Sequence, residues 1–511
     1  MLQGNQKART LNTCNDTNLD SGLILAAEEC PPNQFENYHR FSLHDEVIIR
    51  KLSAHGPVLV RGGRGSGKSA LLIESFRRMR VSTSVFPVYV SLRYLPLLQS
   101  DGNEYIGHFC ILLSQAIQKE LSDRKLEHDF AEATDQVSLQ FGLTALAQAL
   151  NMRIVLLFDD AAHIGREKPL EVFFDLYRTL SSSLTSCKAS IYPGVTKFGV
   201  RFDVFNDSTV IDIGRSDTAS APGFFPDVVK ARYPRLSERA TFSDRLDPSQ
   251  FANLLGRAVV GNLRGFILAC NRFDNKDKIG IPEVSQCLLD MASDYFWPLM
   301  DEVAPKLGIY EALVDPAREV FGVIVDHATK TVKSNTRNTA QDRILIHRQT
   351  VSQFLKIFEI LEYLGFVARR EASRALKSGG RGPIFAINLC SLLEATPTRR
   401  LTSEMIEEWL QGTSEPAELH ISGTAFHAIK LPQLQDETGL AILDKEIKVL
   451  GRSPAYPYGL TDSIIQRLST AGMTTVGQLA NATDKELDDI EYIGEVKIQV
   501  IRDVVFQAIW M

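Results

Sequence analysis

The chain has 511 residues, of which 44% are hydrophobic and 23% are charged, and its formal net charge is −6. This length suits about three or four domains, and the composition is typical of soluble globular proteins. The negative net charge excludes a protein coated in basic residues for nucleic acid, so any nucleic-acid-binding site must be a local patch. The seven cysteines are scattered without a C-x-x-C pair, which indicates reduced thiols. Because no apolar run reaches the length of a membrane span and the first residues lack a signal-peptide core, we expect a cytoplasmic protein.

Residues 1–35 are mostly polar and contain one short apolar patch at 23–27. We expect a mobile arm or strap that docks through this patch.

From 36 to 215, apolar strands alternate with helical patterns, which is typical of an α/β domain with a parallel sheet. Apolar spacings of three and four predict helices over 105–121 and 137–151. The predicted strands cover residues 57–60, 86–91, 153–160, 189–196 with its turn, and 210–213.

A glycine-rich stretch after the first strand matches G-x-x-x-x-G-K-[ST] without a gap. The residues expected to hold phosphates are Gly62, Gly63, Arg64, Gly65, Ser66, Gly67, Lys68, Ser69 and Ala70. Glycines let successive N–H groups point at one anion, and the helix that follows adds its positive N-terminal end. Lys68 would reach the β and γ phosphates of ATP, and Ser69 would ligate Mg²⁺. The alternative, a glycine-rich turn with a stray lysine, fits the strand–loop–helix setting poorly.

Asp159 and Asp160 end the unbroken apolar strand 153–160. Such a strand is buried on both faces, and the carboxyl ends of its sheet are where α/β proteins bind ligands. We expect Asp159 to hold the Mg²⁺ shell and Asp160 to position the attacking water. Asp160 is one methylene shorter than the Glu that many such ATPases carry, which predicts slow hydrolysis. A helix cap is the structural alternative for the pair.

The turn after the fourth strand offers Thr196, or Lys197 as second choice, as a polar contact for the γ phosphate. An ordinary strand end explains these residues equally well. Arg201, just beyond, is a candidate arginine finger toward a neighbouring subunit, and a solvated arginine is the alternative.

A helical pattern that continues to about residue 275 contains Gly261-Asn262-Leu263-Arg264, a G-x-x-R segment. Together with the phosphate loop and the paired aspartates, it resembles AAA+ ATPases, and among them the origin-recognition initiator ATPases, over roughly residues 36–390. The resemblance implies a helical lid at 216–275 whose Arg264 contacts the γ phosphate. The alternative is that Arg264 is an ordinary arginine on the surface of a helix. The family usually has Asp-Glu where this chain has Asp159-Asp160, and Asn where this chain offers Thr196 or Lys197 as the polar contact for the γ phosphate. Signal-transduction (STAND) ATPases share much of this layout.

Residues 276–394 contain the pattern of a winged helix: a helix at 349–361, a strand at 365–370, a glycine-rich tip at 378–382 and a strand at 383–387. The hairpin carries five basic residues against only Glu371, which favours contact with a duplex DNA backbone over 340–390. These basic residues are Arg369, Arg370, Arg374, Lys377 and Arg381. A winged helix that docks a protein is the alternative. Residues 395–455 are predicted to be a linker or a small helical extension.

Residues 456–511 have helical apolar spacing. Through the stretches 471–479, 483–487 and 490–497, they resemble the helix-hairpin-helix fold found in the C-terminal domain of the RNA polymerase alpha chain. Thr483 and Glu486 form a predicted capping box, and Gly494 would expose N–H groups to a phosphate beside a helix N-terminus. Four nearby acids oppose phosphate binding, so DNA and a protein partner are equally supported. These are Asp488, Asp489, Glu491 and Glu495.

The sequence thus predicts an AAA+-type ATPase that couples its nucleotide state to DNA binding or to assembly, including assembly as a homo-oligomer. One alternative is a STAND-like signalling or phage-defence switch that acts through a protein partner. Another is a DNA-binding regulator that holds ATP without turnover.

Overall fold

The computed structural model describes residues 24–95, 102–162, 167–195, 198, 201–214, 223–334, 338–412, 414–420, 424–432, 434, 441–453 and 459–510. Within these ranges, no helix combines the length and the apolar character needed to cross a membrane.

The first part of the chain alternates strands and helices. Its elements are α1 (Phe35–Tyr38), α2 (Leu43–Ser53), β1 (Val58–Arg61), α3 (Lys68–Arg80), β2 (Val85–Ser91), α4 (Gly102–Asp123), α5 (Gln136–Leu150), β3 (Arg153–Ala162), α6 (Glu167–Leu180), β4 (Thr185–Ile191), α7 (Val204–Asp207) and β5 (Thr209–Asp212). The strands pair in parallel in the order β2-β3-β4-β1-β5. The predicted α/β core with a parallel sheet is confirmed, and each predicted strand and helix of this region overlaps an observed one.

Helices cover both faces of this sheet, as the unbroken apolar run in β3 predicts. Side chains alternate along the strand, so Ile154 and Leu156 pack on one face while Val155 and Leu157 pack on the other. All four are fully buried.

The strand order determines where a ligand can bind. β1 lies between β4 and β5, although β2 follows it in the chain. The chain therefore leaves β1 for the far edge of the sheet and returns to its side through β3 and β4. In open α/β sheets, ligands bind outside the carboxyl ends of strands at such a change of direction.

A strap before the sheet, residues 24–41, ties the core to the helices that follow the sheet. It contains a short 3₁₀ helix, Ala27–Glu29, and α1. Ile24, Cys30 and Phe35 pack with Ala70 of α3 in one apolar cluster. The guanidinium of Arg232 donates to the carbonyl of Ile24 at 2.9 Å. The apolar patch predicted as a docking point is thus packed from Ile24 onward, and residues 1–23 lie outside the described part of the chain.

The next region is helical and carries a second sheet. Its elements are α8 (Phe224–Arg232), α9 (Pro248–Ala258), α10 (Leu263–Asn271), α11 (Ile281–Met291), α12 (Trp297–Val303), α13 (Val314–Lys333), β6 (Arg343–Ile346), α14 (Arg348–Gln353), α15 (Leu355–Leu364), β7 (Val367–Ala375), β8 (Arg381–Ile387), α16 (Leu389–Glu394), α17 (Ser403–Gln411) and β9 (Ala417–Leu419). The strands pair in the order β7-β8-β6-β9. One hydrophobic cluster runs through these elements, from Phe224 to Phe426.

Two details of this region differ from the sequence predictions. The helix expected at 349–361 is two helices, because the chain breaks at Phe354 between α14 and α15. The expected linker contains α17 and β9, and Trp409 of α17 is fully buried, with its ring N–H donating to the Ala340 carbonyl at 2.9 Å. That burial makes α17 part of the packed region.

The last elements are α18 (Ala441–Asp444), α19 (Asp462–Thr470), α20 (Val476–Asn481), α21 (Asp484–Asp488) and α22 (Glu495–Trp510), which share their own core. That core begins at Ile442, inside the predicted linker. Thr483 and Glu486 form the expected capping box at the start of α21.

Candidate functional site

The loop between β1 and α3 has the backbone of a phosphate cradle. Gly65 and Gly67 have φ of 73° and 89°, in the left-handed region that glycine adopts without steric cost. A Cβ on Gly65 would lie 2.2 Å from Oδ1 of Asn262, so no side chain fits there. α3 begins directly at Lys68, which directs its unpaired N–H groups and positive end toward the loop.

Lys68 is folded back onto this loop. Its Nζ donates to the carbonyls of Gly62 at 2.9 Å and Gly63 at 3.0 Å, and lies 3.7 Å from the centroid of the Tyr192 ring. Burial lowers the pKa of Lys68 to about 7, against the opposing charges of Asp160 and Asp159. An anion in the cradle would favour the charged form of this amine.

Asp159 is held at the end of β3 by three hydrogen bonds. Its carboxylate accepts from the Tyr89 hydroxyl at 2.8 Å, the Ser190 hydroxyl at 2.6 Å and the Asp160 N–H at 3.0 Å. The side chain is fully buried. These donors fix the carboxylate beside the phosphate loop.

Asp160 has a φ of 51°, uncommon for a residue other than glycine, at a register shift between β3 and β4. Burial, together with the charges of Asp159 and Glu28, raises the pKa of Asp160 to about 7. Unusual backbone and a displaced pKa together are typical of functional positions.

α10, within the region predicted to be a lid, reaches the loop. The Leu263 N–H donates to the Gly65 carbonyl at 2.8 Å, and Asn262 caps the helix by accepting from the Gly265 N–H at 3.0 Å. Arg264 lines the same cavity as Lys68, and its Nε has no hydrogen-bond partner among the described residues. The predicted lid arginine is thus beside the phosphate loop.

Lys68, Ser69, Asp160 and Arg264 line a cavity of about 390 Å³. Aromatic and aliphatic side chains of the strap, α8 and α10 line it as well: Tyr38, Phe41, Phe224, Val228 and Ile267. An apolar pocket with a few convergent polar groups is the usual form of a small-molecule site.

Two other predicted site residues have different outcomes. Thr196, with Lys197, lies outside the described residues. Arg201 is exposed and does not line the cavity, and its backbone N–H bonds Oδ1 of Asp175 at 3.3 Å.

The sequence analysis missed Glu28, Tyr192 and Tyr363, which all line the cavity. Tyr192 directly follows β4, so its position after a buried strand was a signal that could have identified it. Glu28 and Tyr363 are brought to the cavity by tertiary packing.

α15 packs against the phosphate loop as well. The Arg64 N–H donates to the Tyr363 carbonyl at 2.8 Å, and a Cβ on Gly63 would lie 2.7 Å from the Glu362 carbonyl oxygen. The Lys356 Nζ donates to the Gly194 carbonyl at 2.8 Å. The helix of the predicted winged helix is therefore also part of the wall of this site.

The basic hairpin β7–β8 carries acidic partners. Arg374 pairs with Glu371, and Lys377 pairs with Glu415 beyond the hairpin. These pairs are exposed, so each neutralises a cation without fixing it firmly.

No protein-family model matches this chain, and no curated protein matches it. Among solved structures, it is similar to the Walker-type ATPase PABY2304 of Pyrococcus abyssi, at 12% identity and a TM-score of 0.39, covering 69% of this chain and 94% of that one. It is also similar to Cdc6p of Pyrobaculum aerophilum, at 12% identity and a TM-score of 0.32, covering 73% and 96%. The Aeropyrum pernix ORC1 protein in complex with DNA is similar at 13% identity and a TM-score of 0.32, covering 77% and 96%. Origin-recognition proteins are thus among the similar structures, and the fold assignment itself depends on the chain's own sheet and phosphate loop.

Proposed function

We propose that this chain is an AAA+-type protein that binds ATP with Mg²⁺ and hydrolyses it slowly. The observation that carries the proposal is the convergence of Lys68, Asp160 and Arg264 on one cavity, from three elements far apart in the sequence. The adenine and ribose would lie against the aromatic and aliphatic side chains of the cavity wall, which accept a flat base. The phosphates would lie against the loop and the start of α3.

The roles of the side chains follow from their positions. Lys68 would leave the carbonyls of Gly62 and Gly63 for the β and γ phosphates. Ser69 and Asp159 offer the oxygen ligands that Mg²⁺ prefers, and bound Mg²⁺ would neutralise charge on the phosphates. Asp160 would orient the attacking water, and Arg264 would add positive charge at the γ phosphate.

The lid and α15 are positioned to transmit the nucleotide state. α10 reaches the loop at Gly65 and α15 reaches it at Arg64, so a change in the loop would move both. We infer that this motion changes DNA binding through residues 340–390 and 456–511, or changes assembly of the protein.

Fluorescence anisotropy with labelled duplex DNA tests this coupling. The proposal predicts different affinities with ATP and with ADP in the wild-type protein, and no nucleotide effect in the Lys68→Ala variant. Equal affinities in all states would contradict it.

A STAND-like switch is the second candidate, favoured by the docking of α15 on the phosphate loop and by the acidic partners of Arg374 and Lys377. In that case a protein partner, and no DNA, would stimulate ATP turnover. Single-turnover hydrolysis decides the remaining alternative, a regulator that holds ATP without cleaving it.

A further inference from the structure

We propose that Glu28 of the strap is a third protein ligand, and the second carboxylate, of the divalent cation at this site. This assignment rests on the proposed function, because it assumes the cation that accompanies ATP. It adds to Ser69 and Asp159 a residue from a segment that the phosphate-loop motifs do not include.

Glu28 is held in place by its neighbours in the chain. It lies within the 3₁₀ helix Ala27–Glu29, between the buried side chains of Ile24 and Cys30. Both pack in the cluster that contains Ala70, which is adjacent to Ser69 in α3. The packing of the strap therefore places this carboxylate near the start of α3.

The contacts of Glu28 define a cation site. Glu28 lines the same cavity as Ser69, the residue expected to ligate Mg²⁺. One carboxylate oxygen from each of Glu28, Asp159 and Asp160 lies within 4.8 Å of the others. Three carboxylates this close repel one another, and a divalent cation between them converts that repulsion into attraction.

Ser91 supplies an independent observation. It is 8% exposed, and its hydroxyl oxygen has no hydrogen-bond partner in the described part of the chain. The sheet register places Ser91 directly beside Asp159, and Tyr89, two residues earlier on the same face, bonds that carboxylate. Buried hydroxyls are normally paired, so the oxygen of Ser91 is positioned to bond a water of the cation's shell.

The assignment links strap docking to nucleotide binding. Mg²⁺ is usually bound through one or two carboxylates together with phosphate oxygens and water. A ligand from the strap would mean that Mg²⁺–ATP stabilises the docked strap.

Calorimetric titration of ATP into the full chain, at a series of Mg²⁺ concentrations and without Mg²⁺, tests the assignment. Glu28→Gln keeps the size of the side chain and removes its charge. Its control is Glu127→Gln, at an exposed position that does not line the cavity. We expect Glu28→Gln to raise the Mg²⁺ concentration for half-maximal enhancement of ATP binding by about 10-fold to 100-fold. ATP binding without Mg²⁺ should stay the same or become tighter, and Glu127→Gln should match the wild type.

An unchanged Mg²⁺ dependence in Glu28→Gln would overturn the assignment while leaving the proposed function intact. An equal loss of ATP binding with and without Mg²⁺ would also overturn it, because Glu28 would then only hold the strap. As a second readout, electron paramagnetic resonance of Mn²⁺ with ATP should show weaker Mn²⁺ binding in Glu28→Gln alone. Absence of ATP uptake by the wild type under every condition would instead contradict the proposed function.

Discussion

The phosphate-loop site and the basic hairpin β7–β8 are both regions where the sequence predicts an anion, and their structures differ sharply. At the loop, Lys68 and Asp159 are buried and hydrogen-bonded to the backbone and to neighbouring strands. On the hairpin, Arg374 and Lys377 are exposed and paired with acids. A motif with fixed spacing specifies geometry, whereas a cluster of charges specifies only composition, and the folded chain can supply partners for those charges.

The largest effect is expected for Lys68→Ala. Loss of the amine removes the charge that would contact two phosphates, so ATP affinity should fall by about 100-fold or more. Calorimetry with Mg²⁺–ATP measures this. Lys51→Ala, at an exposed position of α2, is the control and should bind as the wild type does. Equal binding by both variants would place the nucleotide elsewhere.

Asp160→Asn separates turnover from binding. The amide cannot accept a proton from water, so single-turnover hydrolysis should slow by about 100-fold, with ATP affinity changed little. Asp129→Asn, at an exposed site, should leave both unchanged. Wild-type hydrolysis in Asp160→Asn would show that another group positions the water.

The same substitution at two glycines contrasts a crowded loop with an open one. Gly63→Ala would place a Cβ 2.7 Å from the backbone oxygen of Glu362, whereas a Cβ at Gly494 meets nothing within 4 Å. We expect Gly63→Ala to destabilise the packing of α15 on the loop by about 1–3 kcal/mol, and to lower the midpoint of thermal unfolding. Gly494→Ala should unfold close to the wild-type midpoint, and a similar fall in both variants would argue against the close contact.

The smallest effect is expected on the hairpin. A double variant, Arg374→Ala with Lys377→Ala, should weaken duplex binding by less than about tenfold, because both cations already have acidic partners. The slope of binding against salt should fall by about 1 for each phosphate that the variant no longer neutralises. Lys51→Ala with Lys119→Ala, at exposed positions of the core helices, is the matched control. A loss above 100-fold would show that the acidic partners release these cations when DNA binds.

The sequence predicted the parts of the site that lie on one continuous motif. The strand before Gly62 and the helix at Lys68 identify the cradle, and the unbroken strand before Asp159 identifies the second half of the site. Periodicity also predicted the α/β core, because buried parallel strands leave long apolar runs.

Other contacts depend on tertiary packing that no local pattern records. Glu28 reaches the cavity because Ile24 and Cys30 pack beside α3, and nothing in the spacing of the strap encodes that position. The Tyr363 carbonyl reaches Arg64 because the region after the lid folds back on the core. Backbone groups carry no sequence signature, so such a contact has to be seen in three dimensions.

Calorimetric titration of ATP into the wild-type chain, with and without Mg²⁺, tests the central claim most directly. The account predicts saturable uptake of one ATP per chain that is tighter with Mg²⁺ and at least about 100-fold weaker in Lys68→Ala. Absence of ATP uptake by the wild type with Mg²⁺ present would contradict it.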